Sequence, residues 1–325
     1  MSPLFSLDDL HAAAALIRPS VPPTPQIVWP LLTQRVGTEV WVKHENHTPT
    51  GAFKVRGGLV LLDRLLAAEP ECPGIVSATR GNHGQSLAFA GRKAGLPVTI
   101  VVPHGNSREK NAAMRALGAE VVEAGADFDA ARAAAADLAA DRGLRLVPAF
   151  GPELVLGVAT YGLELMTAVP DLEAIYVPVG SGSGICGLIQ ARDLLGRRTR
   201  IIGVTAAGAP AFARSLAAGR LVPGCPADTF ADGVAVREPP QAALDMVRAG
   251  AERIVEVTDD EIAAAMRAYC SDTHNIAEGA GAAPLAGLMQ ERAAMRGRKV
   301  AVVLSGGNVD RDVYARILAA DLAAA

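Results

Sequence analysis

Lys54 is the first residue whose surroundings suggest chemistry. It closes the run Lys43-His-Glu-Asn-His-Thr-Pro-Thr-Gly51-Ala-Phe-Lys54 and opens a stretch with helical periodicity. A lysine at a helix N-terminus faces the unfavourable end of the helix dipole, which lowers its pKa. A lowered pKa suits Schiff-base chemistry, although the same residues also fit a solvated surface lysine. His44 and His47 are three residues apart beside a strand end, and they read as loop histidines rather than a metal pair.

Three further polar, glycine-containing segments follow apolar runs. Thr79-Arg-Gly-Asn-His83 runs directly into a helix, where free backbone N–H groups make an anion seat. Thr79, Asn82 and the amides around Gly81 suit a carboxylate, and Arg80 adds a fixed charge; a simple capped turn is the plainer alternative. Gly180-Ser-Gly-Ser-Gly184 also opens a helix, with backbone amides suited to a phosphate. Gly182, Gly184 and Gly187 fit the dinucleotide pattern literally, but the next strand ends in Thr205-Ala-Ala207, without the acid that would hold a ribose. A single phosphate therefore fits better than NAD. Ser305, in Ser305-Gly-Gly-Asn308, presents a hydroxyl at a strand end, unless this is an ordinary turn.

Positioning these segments requires strands that end where they begin. Candidate strands are 40–42, 74–77, 98–102, 120–122, 175–179, 201–205, 254–257 and 300–304. Candidate helices are 7–17, 55–67, 83–94, 109–117, 128–142, 153–168, 185–195, 259–271, 279–295 and 311–322. Strand alternating with helix implies parallel sheets covered on both faces, which bind ligands at the carboxyl ends of their strands. Hinges near 45–51 and 148–152 would set a small domain between two parts of a larger one.

Composition narrows the class. The chain has 325 residues, half of them apolar, with 31 basic and 34 acidic residues and a net charge of −3. That balance, with few aromatics, excludes a basic nucleic-acid binder. The four cysteines form no CxxC pair, so no zinc or redox motif is read. Neither a signal peptide nor a membrane span is read, and a cytoplasmic enzyme is expected.

Taken together and in this order, the segments resemble the fold-type II pyridoxal-phosphate enzymes, closest to the threonine/serine dehydratase and serine racemase branch. The resemblance runs from about Val40 to Val309 and includes Gly203-Val204, Ala231-Asp-Gly233 and Ala277-Glu278-Gly-Ala-Gly281. It implies two open, parallel-sheet, three-layer α/β domains of the tryptophan synthase β-like type: residues 51–147 as the small domain, and 1–50 with 148–325 as the large one. It implies pyridoxal 5′-phosphate as cofactor, with Lys54 as the Schiff-base lysine beside Phe53. On the same resemblance, Asn82 would lie by the phenolic oxygen, Gly180, Ser181, Gly182, Ser183 and Gly184 would hold the phosphate, Ser305 would face the ring nitrogen, and Thr79, Arg80, Gly81 and His83 would bind the substrate carboxylate. The implied reaction is dehydration of an L-β-hydroxy-α-amino acid to a 2-oxo acid and ammonia, by a homodimer or homotetramer.

Three departures from the family pattern qualify this. Ala52 replaces the serine of Ser-Phe-Lys, which leaves the lysine chemistry untouched. Arg80 stands where serine racemases carry a second acid/base serine, and a permanently protonated arginine is a poor proton shuttle. Thr205 and Ala211 stand where the family's divalent cation has acidic ligands, so no metal site is expected. Racemisation is disfavoured, but it stays open alongside β-replacement and a non-catalytic binding protein. Arg80 is free to clamp the α-carboxylate, a second carboxylate or an aromatic face, so serine, threonine, 3-hydroxyaspartate and 3-phenylserine all remain candidate substrates. With the last motif at 305–308, no regulatory domain is expected, which suggests a catabolic role.

Overall fold

Short β-branched segments and longer alanine- and leucine-rich ones alternate along the chain, and the computed structural model, which describes residues 3–322, folds them into two sheets with helices on their faces. The strands are β1 (Gln26–Val28), β2 (Glu39–His44), β3 (Ile75–Ala78), β4 (Val98–Val102), β5 (Glu120–Glu123), β6 (Arg145–Leu146), β7 (Ala174–Pro178), β8 (Arg200–Ala206), β9 (Arg253–Val257) and β10 (Lys299–Leu304). The helices are α1 (Leu7–Ile17), α2 (Pro30–Val36), α3 (Val55–Ala68), α4 (Asn82–Ala94), α5 (Arg108–Ala116), α6 (Phe128–Arg142) and α7 (Pro152–Ala168). They continue as α8 (Ser183–Leu194), α9 (Ala211–Ala218), α10 (Gln241–Gly250), α11 (Asp259–Thr273), α12 (Gly279–Gln290) and α13 (Arg311–Leu322).

The larger sheet runs β1-β2-β10-β7-β8-β9 and the smaller β5-β4-β3-β6. All pairings are parallel except β1 with β2. Strands β3 to β6 fall between the two expected hinges, and both ends of the chain feed the larger sheet.

Side-chain alternation divides the cores. On β10, Ala301 and Val303 join one apolar cluster while Val300, Val302 and Leu304 join another on the opposite face. The first cluster also takes in α7 and α8, and the second α11 and α12. On β4, Ile100 and Val102 turn toward α3 and α4, whereas Val101 faces α6. A strand buried on both faces reads as a continuous apolar run because each successive side chain enters a different core. The first cluster touches both sheets, so the packing is continuous across them.

The long elements match their expected spans within a few residues. Short ones go beyond the sequence reading. Strand β1 has three residues after a proline-rich stretch and pairs antiparallel at a sheet edge. Helix α2 spans seven residues, with Pro30 at its start and left-handed Gly37 at its end. Strand β6 and helices α9 and α10 are likewise additional. Helix α12 stops at Gln290 rather than running to Met295, and Glu291 at its C-cap is held by Arg253 at 2.6 Å and Tyr176 at 2.5 Å. Among the described residues, no helix is long and apolar enough to cross a membrane.

Candidate active site

Strands β2, β10 and β7 are adjacent and parallel, so their carboxyl ends open on one edge. The loops leaving that edge carry Lys54, Ser305 and Gly180–Gly184. Backbone hydrogen bonds stitch two of them together: Phe53 N donates to Ser305 O at 3.0 Å and Gly307 N to Gly51 O at 2.9 Å. Phe53 also meets Tyr161 edge-on, and the Tyr161 hydroxyl donates to Gly184 O at 3.1 Å, which ties the lysine loop to the glycine loop.

Lys54 sits at the N-cap of α3, with its Nζ 5.0 Å from the Phe53 ring centre. It lines a cavity with Gly57, His83, Ala149, Leu154, Val158 and Ser183. Desolvation pushes its pKa down to about 8, against the opposing field of Glu278. The direction matches the sequence reading, but the leading cause is burial rather than the helix dipole. His83 is held neutral, its pKa pushed down to about 3 by burial and by Lys54, and its Nε2 has no hydrogen-bond partner.

Two helix starts open onto the site without side-chain caps. Helix α4 begins after Gly81 and α8 after Gly182, so their first-turn N–H groups are free for anions. Both glycines are required. Gly81 has φ +157° and a Cβ there would strike the Lys110 stem; Gly182 has φ +99° and its Cβ would come 2.7 Å from that of Ala243. Thr79 braces the first turn by accepting from Gly81 N at 3.0 Å. Ser305 is buried, and its hydroxyl makes no hydrogen bond to another described residue.

Asn82 donates to Glu278 Oε1 at 2.6 Å and accepts from Asn308 Nδ2 at 2.9 Å. Lys110, from α5, lies 3.1 Å from Glu278 Oε2 and 2.7 Å from Asp232 Oδ2. Burial raises the Glu278 pKa against the pull of Lys110. Arg80 is half-buried and makes no hydrogen bond or ion pair with another described residue; its field reaches Asp127. Thr205 ends near the carboxyl end of β8 and Ala211 opens α9, and neither offers a carboxylate.

His44 proves to be the last residue of β2, not a loop residue. It is buried and accepts from Trp29 Nε1 at 3.0 Å, and burial pushes its pKa down to about 4. His47 is exposed on the following turn.

Residues 17–306 match the family model described as pyridoxal-phosphate dependent enzyme. The chain belongs to that family. Its residues fit the cofactor: a desolvated lysine, an uncapped helix start for a phosphate and an unpartnered serine hydroxyl lie on adjoining loops. This pyridoxal-phosphate enzyme is similar to the L-threonine ammonia-lyase of Geobacter sulfurreducens, at 37% identity over 297 residues, covering 90% of this chain and 73% of that one. Among solved structures it is similar to the processed form of threonine deaminase isoform 2 from Solanum lycopersicum. That match has a TM-score of 0.87 and 30% identity, covering 96% of this chain and 93% of the other. It is also similar to a pyridoxal 5′-phosphate-dependent aspartate racemase, with TM-score 0.89 and 29% identity, covering 94% and 97%.

The sequence reading brought Lys54, Asn82, the glycine loop and Ser305 to one cleft, but gave no role to Glu278, Lys110, Asp232 or Asn308. A lone acid inside the apolar Ala277–Gly281 stretch was the available signal for Glu278. Lys110 lies among Arg108 and Glu109 and reads as a surface charge, yet it is buried.

Proposed function

We propose that the enzyme is an ammonia-lyase acting on an L-β-hydroxy-α-amino acid of the threonine or serine type, with a 2-oxo acid and ammonia as products. The observation that carries this reading is the desolvated Lys54 among uncapped anion seats on adjoining loops. The similarity to threonine ammonia-lyases supports the same reaction class.

In this reading the free N–H groups at Gly180–Gly184 hold the cofactor phosphate, and the Thr79–His83 turn holds the substrate carboxylate. Asn82 faces the phenolic oxygen and Ser305 the ring nitrogen. When bound, the cofactor supplies an electron sink for charge developing at the substrate Cα. Lys54, whose amine is neutral more readily than an ordinary lysine's, takes the Cα proton as general base. A neutral Ser305 hydroxyl leaves the ring nitrogen unprotonated, which limits the sink and favours prompt elimination, in which the Cα proton and the β-hydroxyl leave overall as one water. Hydrolysis of the released enamine then takes up water and yields the 2-oxo acid and ammonia. Residues 51–147 act as the small domain that carries Lys54 and the carboxylate turn, in a homodimer or homotetramer.

Arg80 favours elimination over racemisation, because a guanidinium keeps its proton. It also favours a substrate with a second carboxylate, since its half-buried charge makes no ion pair with another described residue. The test is 2-oxo acid and ammonia release from serine, threonine, 3-hydroxyaspartate and 3-phenylserine, with chiral analysis of the remaining substrate. Arg80→Ala should reduce turnover of 3-hydroxyaspartate by about tenfold or more relative to threonine, the scale of one charge-assisted contact. Equal losses on both substrates would remove the second-carboxylate reading. Inverted substrate without 2-oxo acid would replace the lyase with a racemase.

A further inference from the structure

Asn82 is oriented from both sides. The Thr50 carbonyl only accepts, so Asn308 must turn its nitrogen to it, at 2.7 Å. The other hydrogen of that nitrogen goes to Asn82 Oδ1 at 2.9 Å. The Asn82 nitrogen is thereby turned to Glu278 Oε1, 2.6 Å away, which accepts. The two ends give the same amide orientation independently. An amide nitrogen carries two hydrogens, so one on Asn82 stays uncommitted. Gly81 and His83 are buried, whereas Asn82 keeps open surface.

Glu278 is placed for this contact. It is the N-cap of α12 but makes no cap hydrogen bond with its side chain. Its backbone N–H donates to Gly306 O at 3.1 Å, which fixes it against the Ser305 loop. The residue is 2% exposed, and Oε2 is met by Lys110 Nζ at 3.1 Å.

We infer that Glu278 is a positioning residue for the cofactor: with Asn308 it locks the Asn82 carboxamide so that the remaining N–H is held for the phenolic oxygen. This rests on the assignment of Asn82 to that oxygen made above. A donor fixed on a phenolate favours the charged form, so the enzyme's visible absorbance reports the lock. Lys110 reaches the same carboxyl from α5, beside the smaller sheet, and so links seating of that sheet to the lock.

The test compares Asn82→Ala, Glu278→Ala, Asn308→Ala and the double variant Asn82→Ala/Glu278→Ala as holoenzymes. The readouts are the ratio of visible to near-ultraviolet cofactor absorbance at fixed pH, and the cofactor dissociation constant. The three single variants should shift the ratio alike and weaken cofactor binding by about tenfold, the scale of one hydrogen bond to a charged group. The double variant should add little to either single one. Glu278→Gln, whose carbonyl still accepts from Asn82, should keep the wild-type ratio. If Glu278→Ala does not fold, Asn308→Ala tests the lock from its other end. A shifted ratio in Asn82→Ala, with wild-type ratios in Glu278→Ala and Asn308→Ala, would overturn the proposal and leave the Asn82 assignment standing. A wild-type ratio in Asn82→Ala would overturn the assignment, and the proposal with it.

Discussion

Lys54 shows how a side chain's chemistry is made by residues distant in sequence. Its low pKa was legible as a direction, because a lysine before a helix faces the dipole. The leading cause was not legible: Ala149, Leu154 and Val158, about a hundred positions away, help enclose the cavity that it lines. The neutral amine is the form that condenses with an aldehyde. Cofactor capture by the apoenzyme should therefore rise about tenfold per pH unit up to about 8 and level off above it. Stopped-flow absorbance after mixing would measure this, and a rate still climbing beyond pH ~10, as for an ordinary lysine, would contradict the desolvated site. Lys110 makes the same point in reverse. Its neighbours in sequence are charged, and only the fold reveals that it is buried between two carboxylates.

The start of α3 is fixed by a buried guanidinium two residues past Lys54. Arg56 pairs with Glu45, just beyond β2, at 2.7 Å and with Glu164 on α7 at 2.7 Å. Lys43 on β2 holds the other Glu164 oxygen at 2.6 Å. Burial alone would raise the Glu45 pKa, but Arg56 and Lys43 bring it below the ordinary carboxylate value. The network thus anchors the lysine's helix to the larger sheet and to the neighbouring helix. Arg56→Met would leave Glu45 buried without its guanidinium and should cost about 3–5 kcal/mol in urea unfolding. A loss below about 1 kcal/mol would mean that the pairing contributes no more than a surface ion pair. Helices with long periodic patterns, such as α1, α6 and α13, were read to the residue. Strands β1 and β6 were not, because two or three residues give no period and take their conformation from the sheet edges they join.

The parallel order that places the reactive loops on one edge was legible as alternation of strand and helix. The cross-connections between those loops were not, since Phe53 N to Ser305 O and Asn82 to Glu278 join residues about 250 and about 200 positions apart. Net charge was equally silent about the interior, where Lys43, Arg56, Lys110, Glu45 and Glu278 are all buried. What the two sheets enclose is a cleft built around one lysine, and the account stands on that lysine performing an elimination. The direct measurement incubates wild-type and Lys54→Ala enzyme with L-threonine and L-serine and follows the cofactor's visible band together with 2-oxo acid and ammonia. The wild type should show the band and release the two products in equal amounts, while Lys54→Ala should lose the lysine-linked band and at least about a thousandfold of turnover, on the scale set for covalent and general-base catalysis. A Lys54→Ala enzyme that keeps both the band and the turnover would contradict the account.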